Sequence, residues 1–391
     1  MRIAIVAPLD FESSGGSFSY VNTMVESFLD SYNEYNHDFT LFTLGYSASS
    51  DSITKNNLEF KRIPKSNVLL LIHLILRELF HPGIQWHLKV KRIFRRRSNL
   101  RRTLEIDGYD FVWFVAPSGE VIDLPFATTL WDLEFRTQPF FPEVSTNGEW
   151  EKRQNLNAQV LQRAAIVIVG TNFGAQQAMH FFGVASERIL VAPLSIQSKS
   201  DTDCVLRDPN LVFYPAQFWP HKNHVTLIKA FGLAREISGK DLRLVLPGSD
   251  KGNQRLIQEY VESMGLQEAV DFPGFISQSE LVHLYRSASL MVFPSLFGPD
   301  NLPPLEAIAH GCPTMVADIP GAREQLGNSV NYFEPFSELK LAEQILSHLE
   351  PSSGIPAVEL AKPRESLDAI LNRVGEFECY IRTWKFLPLR P

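Results

Sequence analysis

Phe293-Pro-Ser-Leu-Phe-Gly-Pro-Asp-Asn-Leu-Pro-Pro-Leu-Glu-Ala307 is the stretch from which the rest of the 391-residue chain is best read. Ahead of it, Leu290-Met-Val-Phe293 is a short apolar run closed by Pro294, the pattern of a buried strand. A loop of Gly, Pro, Asp and Asn follows, then Pro303-Pro304 at the expected first turn of a helix that carries Glu306 and runs through Ala309. Proline fits there because the first helical N–H groups have no intrahelical partner. A helix start after such a loop offers backbone N–H groups and the positive end of the dipole, which suit a phosphate. A carboxylate one turn in can accept from a sugar hydroxyl. These features fit a nucleotide-sugar site, and they fit equally an ordinary strand–loop–helix crossover with Glu306 in water.

Working outward, the second half repeats the same alternation. Leu211-Val-Phe-Tyr opens a strand, Gln217-Phe-Trp-Pro-His-Lys222-Asn a loop, and Val225 to Ile237 a helix with an apolar stripe at Leu227, Ile228, Phe231 and Leu233. Lys222 just ahead of a helix N-terminus is a candidate diphosphate clamp, or simply a solvated lysine. Leu242–Gly248 reads as a strand and glycine turn, Val270–Ile276 follows a helix, His310–Ala317 is a helix end and then a strand, and Asn331–Pro335 is a short strand ending at proline. A terminal helix is expected from Arg364 to about Trp384. In the first half, Ile3-Ala-Ile-Val-Ala7 has the β-branched composition of a parallel strand buried on both faces. Gly15-Gly16 and a helical pattern from Tyr20 to Leu29 come next. That is the opening of a doubly wound α/β domain, its Gly-Gly loop able to admit a diphosphate or to serve as a plain turn. Further strands are expected at Phe39–Thr43, Leu58–Ile63, Phe111–Val115 and Ile166–Val169.

Composition narrows the class. Hydrophobic residues make up 45% and charged residues 21%, and the net charge of −7 argues against a general nucleic-acid binder. The three cysteines, Cys204, Cys312 and Cys379, are widely separated and lack metal-ligand spacing, as expected of reduced thiols in the cytoplasm. No apolar run reaches the ~20 residues that span a bilayer. One segment stands out: Val68–Leu76 is strongly apolar, and Trp86–Arg102 carries eight basic residues, Lys89, Lys91, Arg92, Arg95, Arg96, Arg97, Arg101 and Arg102. On helices this pairing suits an anionic membrane surface, at roughly 1 kcal/mol per basic residue, or else a packed helix followed by a solvated one.

Together these segments resemble retaining glycosyltransferases of family 4 (glycosyl transferases group 1), which have the GT-B fold. That family shows two glutamates eight positions apart around a Gly-Leu-Pro-Pro-like segment. Leu302-Pro-Pro-Leu-Glu306-Ala matches its second half, whereas Gly298 stands in the place of the first glutamate. The resemblance implies that Glu306 holds the nucleotide ribose, with Asp300 the nearest replacement for the sugar-facing carboxylate. It also implies that Gly15 and Gly16 lie near the donor phosphates and that Phe275 lies against the base. The family's phosphate-binding arginine and lysine correspond to Gln217 and Lys222. Its His-Asp pair near the transferred sugar corresponds to Trp131-Asp132, in which Asp132 either acts as a base or hydroxyl ligand or caps the following turn.

The expectations are therefore an α/β protein of two doubly wound Rossmann-like domains facing across a cleft: residues 1–197 on the acceptor side, a linker over 198–210, a donor domain over 211–363, and a C-terminal helix over 364–391 crossing back. Catalytic roles fall to Asp132, Lys222 and Glu306. The donor would be bound by Gly15, Gly16, Gln217, Lys222, Phe275, Asp300, Asn301, Leu302 and Glu306, with backbone N–H groups near Asn301 and Leu302 on the diphosphate. Trp131 and Arg136 would line the sugar or acceptor pocket. The expected reaction is metal-independent, retaining transfer of a sugar from a nucleotide-diphosphate sugar to a saccharide or lipid-linked saccharide, in cell-surface polysaccharide synthesis. The enzyme would be cytoplasmic and peripheral on the membrane through residues 68–102, with no cofactor beyond its donor substrate. Two other readings compete. One is a nucleotide-sugar epimerase, against which the Leu-Pro-Pro-Leu-Glu and His-Lys-Asn segments count. The other is a non-catalytic GT-B relative binding a nucleotide or a partner enzyme, suggested by the departures at Gln217, Gly298 and Trp131.

Overall fold

The structure, a computed structural model, describes residues 1–8, 16–45, 52–55, 58–64, 99–196, 206–349 and 360–386. Gly15, Cys204, residues 68–98 of the apolar and basic segment and residues 198–205 of the expected linker lie outside that set.

Apolar runs with β-branched residues become central strands. In the first half β1 (Arg2–Ala7), β2 (Asp38–Gly45), β4 (Leu58–Pro64), β5 (Phe111–Phe114), β6 (Phe126–Thr129), β7 (Ile166–Val169) and β8 (Ile189–Val191) pair in parallel. A further strand, β3 (Ser52–Lys55), runs antiparallel to β4 at the edge, giving the order β3-β4-β2-β1-β5-β6-β7-β8. Ile3, Ala4, Ile5, Val6 and Ala7 are all buried, as a strand covered on both faces requires. Helix α1 (Gly16–Ser31) turns Tyr20, Val21, Met24, Val25 and Phe28 inward, one stripe at helical spacing. It is followed by α2 (Asn99–Ile106), the single turns α3 (Glu134–Thr137) and α4 (Pro142–Ser145), α5 (Glu149–Arg163) and α6 (Asn172–Phe182). Thr171 caps α6 through its Oγ1, which accepts from Gly174 N–H at 3.1 Å, and Gly183 ends it at φ +61°. On α2, Arg101 is already paired with Glu105 and Asp123, so this member of the basic segment is engaged within the domain.

The second half forms a six-stranded parallel sheet of β9 (Asp208–Phe213), β10 (Arg243–Pro247), β11 (Val270–Gly274), β12 (Ala288–Phe293), β13 (Thr314–Ala317) and β14 (Asn331–Phe333). Its order is β11-β10-β9-β12-β13-β14. The helices are α7 (His224–Ser238), α8 (Gln254–Ser263), α9 (Gln278–Ser287), α10 (Leu302–Ala309), α11 (Ala322–Leu326) and α12 (Glu338–His348). The order reverses between neighbours β9 and β12, and a ligand crevice opens at the carboxyl ends of strands at such a switch point. The two loops leaving that point hold Gln217–Asn223 and Pro294–Asn301. The glycine turn after β10 is obligatory, since a Cβ on Gly248 would lie 1.9 Å from the Ala216 carbonyl oxygen.

The domain boundary moves. β9 takes Asp208, Pro209 and Asn210 out of the expected linker, and Arg207 is tied to the carbonyls of Ala288 (2.7 Å) and Gly311. At the other end the expected single helix is two, α13 (Pro363–Gly375) and α14 (Phe377–Phe386), separated after Gly375, a poor helix former. Both pack on the first domain. Ser366 donates to Pro193 O at 2.8 Å, Arg364 pairs with Glu34 at 2.7 Å, and Phe377 meets Phe111 at 5.6 Å. No helix among the described residues is long and apolar enough to cross a membrane.

Candidate active site

Leu290 to Phe293 are buried in β12, and the chain leaves the sheet through the fully buried Ser295. Gly298 adopts φ +94°, a backbone conformation that side-chain-bearing residues rarely take. A side chain at 298 would have to take that strained conformation. Asn301 locks the turn, its Nδ2 donating to Gly298 O at 2.8 Å and Phe297 O at 3.3 Å.

Helix α10 then starts with fewer phosphate donors than its sequence suggests. Pro303 and Pro304 have no N–H, and the Asn301 N–H donates to Gln325 Oε1 at 2.9 Å. Of the two backbone donors expected, Asn301 is therefore occupied by protein. Leu302 is at the first helical position, with its side chain buried.

Glu306 is half-buried and already hydrogen-bonded. Its Oε2 accepts from Tyr285 Oη at 2.9 Å, and the Ser19 hydroxyl from α1 of the first domain also reaches it. Burial raises its carboxyl above the usual range, and the two hydroxyls oppose that shift. Tyr285 is itself stacked on His310 at 5.7 Å and meets Phe213 edge-on at 5.2 Å.

Lys222 lies on the other loop. Asn223 follows it in the left-handed region at φ +55°, supported by its Nδ2 donating to Pro294 O and Pro335 O at 3.3 and 3.2 Å. The Lys222 ammonium donates to Ser295 Oγ at 3.3 Å and lies 5.4 Å from the Phe293 ring centre. Burial pulls its pKa down to about 8, while the Asp132 and Glu143 carboxylates hold it up. Two elements of the first domain thus face this lysine. Burial raises Asp132; the Glu134 N–H, which donates to its Oδ1 at 3.1 Å, and more weakly the charges of Arg153 and Lys222 lower it. That contact closes a local turn ahead of α3, whose capping position is Leu133.

Glu143, on α4, reaches His221 beside Lys222. Its Oε1 accepts from His221 N–H at 3.0 Å and contacts Nδ1 at 2.5 Å. His221 stacks on Phe297 at 4.4 Å, and burial brings its pKa down to about 4. Gln138 donates to Leu296 O at 2.8 Å, so α3 and α4 grip both loops of the second domain. Asp300 crosses in the opposite direction. Its carboxylate occupies the space a Cβ on Gly170 would need, within 2.5 Å of that position. Burial, with the nearby charges of Glu324 and Asp132, pushes its pKa to about 7.

The remaining expected residues are placed as follows. Gln217 accepts from Trp219 Nε1 at 3.0 Å, which fixes its amide. Trp131 is half-buried against the core that both domains share. Phe275 is 68% exposed at the end of edge strand β11. Gly16 is the first residue of α1. Arg136 does not join the cluster: its guanidinium lies over Trp150 and Phe181 and donates to Gln154 at 2.8 Å, holding α5 and α6 together. Sequence reading gave no role to Ser19, Tyr285, Glu143, His221, Glu324 or Gln325. Their partners are 21 to 287 residues away along the chain, beyond any spacing rule.

The family model described as Glycosyl transferases group 1 matches residues 204–359, the segment that supplies the second sheet and both site loops. The O-antigen chain mannosyltransferase RfbU of Salmonella typhimurium is 31% identical over 157 residues, 40% of this chain and 43% of that protein. The O-antigen chain mannosyltransferase B of Escherichia coli is 23% identical over 237 residues, 58% of this chain and 61% of that protein. The chain thus spans between two fifths and three fifths of these relatives' length. Among solved structures, WaaG, a glycosyltransferase involved in lipopolysaccharide biosynthesis, superposes with a TM-score of 0.63 over 97% of this chain and 96% of that one, at 14% identity. At that identity the likeness concerns the fold, and the fold is GT-B.

Proposed function

We propose that the chain is a retaining glycosyltransferase that moves a sugar from a nucleoside-diphosphate sugar to a saccharide or lipid-linked saccharide of a surface polysaccharide. The observation that carries the reading is the pairing of the Lys222 and Glu306 loops at the β9/β12 switch point, with the charge of Asp132 from the first domain acting on Lys222. The matched family segment and the mannosyltransferase relatives support it, and their names favour mannose as the transferred sugar.

In this reading the ammonium of Lys222 and the amide of Gln217 meet the charge on the departing diphosphate, without a metal ion. Glu306 exchanges the Tyr285 and Ser19 hydroxyls for those of the ribose. The bond between the anomeric carbon and the diphosphate oxygen breaks, and the acceptor oxygen bonds to that carbon on the same face. The acceptor proton leaves to Asp132, whose carboxyl burial raises above the usual carboxylate range. Attachment to an anionic membrane through residues 68–102 belongs to the same proposal, on the composition of that segment alone.

Calorimetric titration with UDP, GDP, dTDP and ADP, without divalent metal, tests the donor site. One nucleotide should bind, and Glu306→Ala should weaken it about 10- to 100-fold, the worth of one or two charge-assisted hydrogen bonds. A well-folded protein that binds none of the four refutes the donor-site assignment.

A further inference from the structure

Residues 321–325 carry neither Lys222 nor Glu306, yet they touch the site loop and the first domain at once. Gly321 adopts φ +87°, and a Cβ there would lie 2.7 Å from Pro299 Cα, so the loop rests directly on this turn. Gln325 pairs with the Asn301 backbone in both senses: its Oε1 accepts from the N–H at 2.9 Å, and its Nε2 donates to the carbonyl at 3.0 Å. Glu324, the adjacent residue, faces the other way. Its Oε1 accepts from Asn172 N–H at 2.5 Å and from Asn172 Nδ2 at 2.7 Å, while its Oε2 accepts from Phe173 N–H at 3.1 Å. Those N–H groups open α6 of the first domain, where no intrahelical acceptor exists and the dipole favours an anion.

Two further contacts complete the arrangement. Asp300, next to Asn301, seats its carboxylate on Gly170, just ahead of α6. Arg323 makes a two-pronged contact with Asp318, at 2.8 and 2.7 Å, and lies 4.2 Å over the Tyr332 ring, which anchors α11 to its own sheet. The turn 170–173 of one domain and the loop 297–302 of the other are thus joined through two consecutive side chains on an anchored segment.

We propose that Glu324 and Gln325 are positioning residues that couple the seating of the first domain to the shape of the loop entering α10. When the domains part, Glu324 loses its acceptor contacts on α6, and the hold of Gln325 on Asn301 loosens with it. A ligand that orders the loop therefore favours the seated domains, and the seated domains favour that ligand, as linkage requires. Only the catalytic consequence of this coupling rests on the donor-site reading above.

Amide hydrogen exchange on the full chain tests it, with melting curves confirming that each variant is folded. Glu324→Gln should speed exchange both at 172–174 and at 297–302, although Gln325 is intact, by about 5- to 100-fold, the usual range of coupling between sites. Gln325→Leu should speed exchange at 297–302 and, by reciprocity, at 172–174. Gln325→Glu, which keeps the acceptor for Asn301 N–H but loses the donor, should fall between. Deprotection confined to 172–174 in Glu324→Gln, or to the loop in Gln325→Leu, overturns the coupling. In nucleotide titrations Glu324→Gln should also weaken binding, as the linkage requires, although Glu324 lies on neither site loop; unchanged affinity in a variant whose loop is deprotected would overturn the proposal too. If the wild-type protein binds no nucleotide, the donor-site reading falls, and the exchange measurement still decides the coupling.

Discussion

Asp300 shows how much one residue's surroundings add to its identity. The sequence offers it as a stand-in for a missing glutamate; the structure seals its Oδ1 from solvent without a hydrogen-bond partner and presses the carboxylate against Gly170. A pKa raised to about 7 means that the folded state holds a proton the unfolded chain releases near pH 4. The stabilisation linked to that proton is present in acid and is lost as pH rises through 7, at up to about 1.4 kcal/mol per pH unit. His221, held down to about 4, acts in the opposite sense: its contribution is present above about pH 6.5 and is lost as pH falls to 4. Denaturant unfolding of wild type and Asp300→Asn from pH 4 to 8 separates the two. The difference should shift in favour of the variant as pH rises towards 7, because the His221 slope is common to both. Parallel profiles would show that Asp300 ionises freely in the folded protein. Gly298 carries the matching lesson in backbone form. Its identity is plain in the sequence, but only the structure shows the φ of +94° that favours glycine there.

Among the elements, α10 and α3 depart furthest from their sequence reading. The proline pair predicts where α10 starts, and the structure starts it at Leu302. The same prolines, together with Gln325, leave little of its N-terminus to bind phosphate. Whether Glu306 faces water could not be read from its position one turn into the helix. Tyr285 enters from another helix and Ser19 from the other domain, and neither spacing is local. Arg136 sits on α3, four residues after Asp132, yet its guanidinium is spread between two aromatic rings of its own domain. Arg136→Ala should lower the melting temperature, since each cation–π contact is worth about 0.5–2 kcal/mol. Nucleotide affinity measured by calorimetry should stay within about threefold of wild type, less than one lost hydrogen bond would cost. A selective loss of affinity without loss of stability would return Arg136 to the site.

At the scale of the whole molecule, the C-terminal pair α13–α14 joins the end of the chain to its beginning. Leu367, Ile370, Leu371 and Val374 are buried in the same core as α1 and β1. Tyr35 donates to Asp368, and the amino terminus lies 3.7 Å from Glu378. Exposed ion pairs such as Arg364 with Glu34 contribute about 0–1 kcal/mol, so the apolar face carries the attachment. Ile370→Ala should therefore cost about 2–5 kcal/mol in denaturant unfolding, whereas Arg364→Ala should cost under about 1 kcal/mol. Equal costs would mean that the strap is held by its charges.

The residues alone specify the two α/β halves and the loops that leave the strands. Those features depend on residues close together in the chain: apolar runs that bury strands, stripes at helical spacing, and glycine and proline where the backbone must turn. The tertiary structure decided which of those loops meet and what their polar groups face. Gln325 takes the amide of Asn301, Glu143 takes His221, Glu324 caps a helix 152 residues earlier, and Glu306 is shared by the two domains. Each of these contacts follows from strand order and domain seating, and a buried polar atom is satisfied by whatever the fold brings within about 3 Å rather than by its neighbours in sequence.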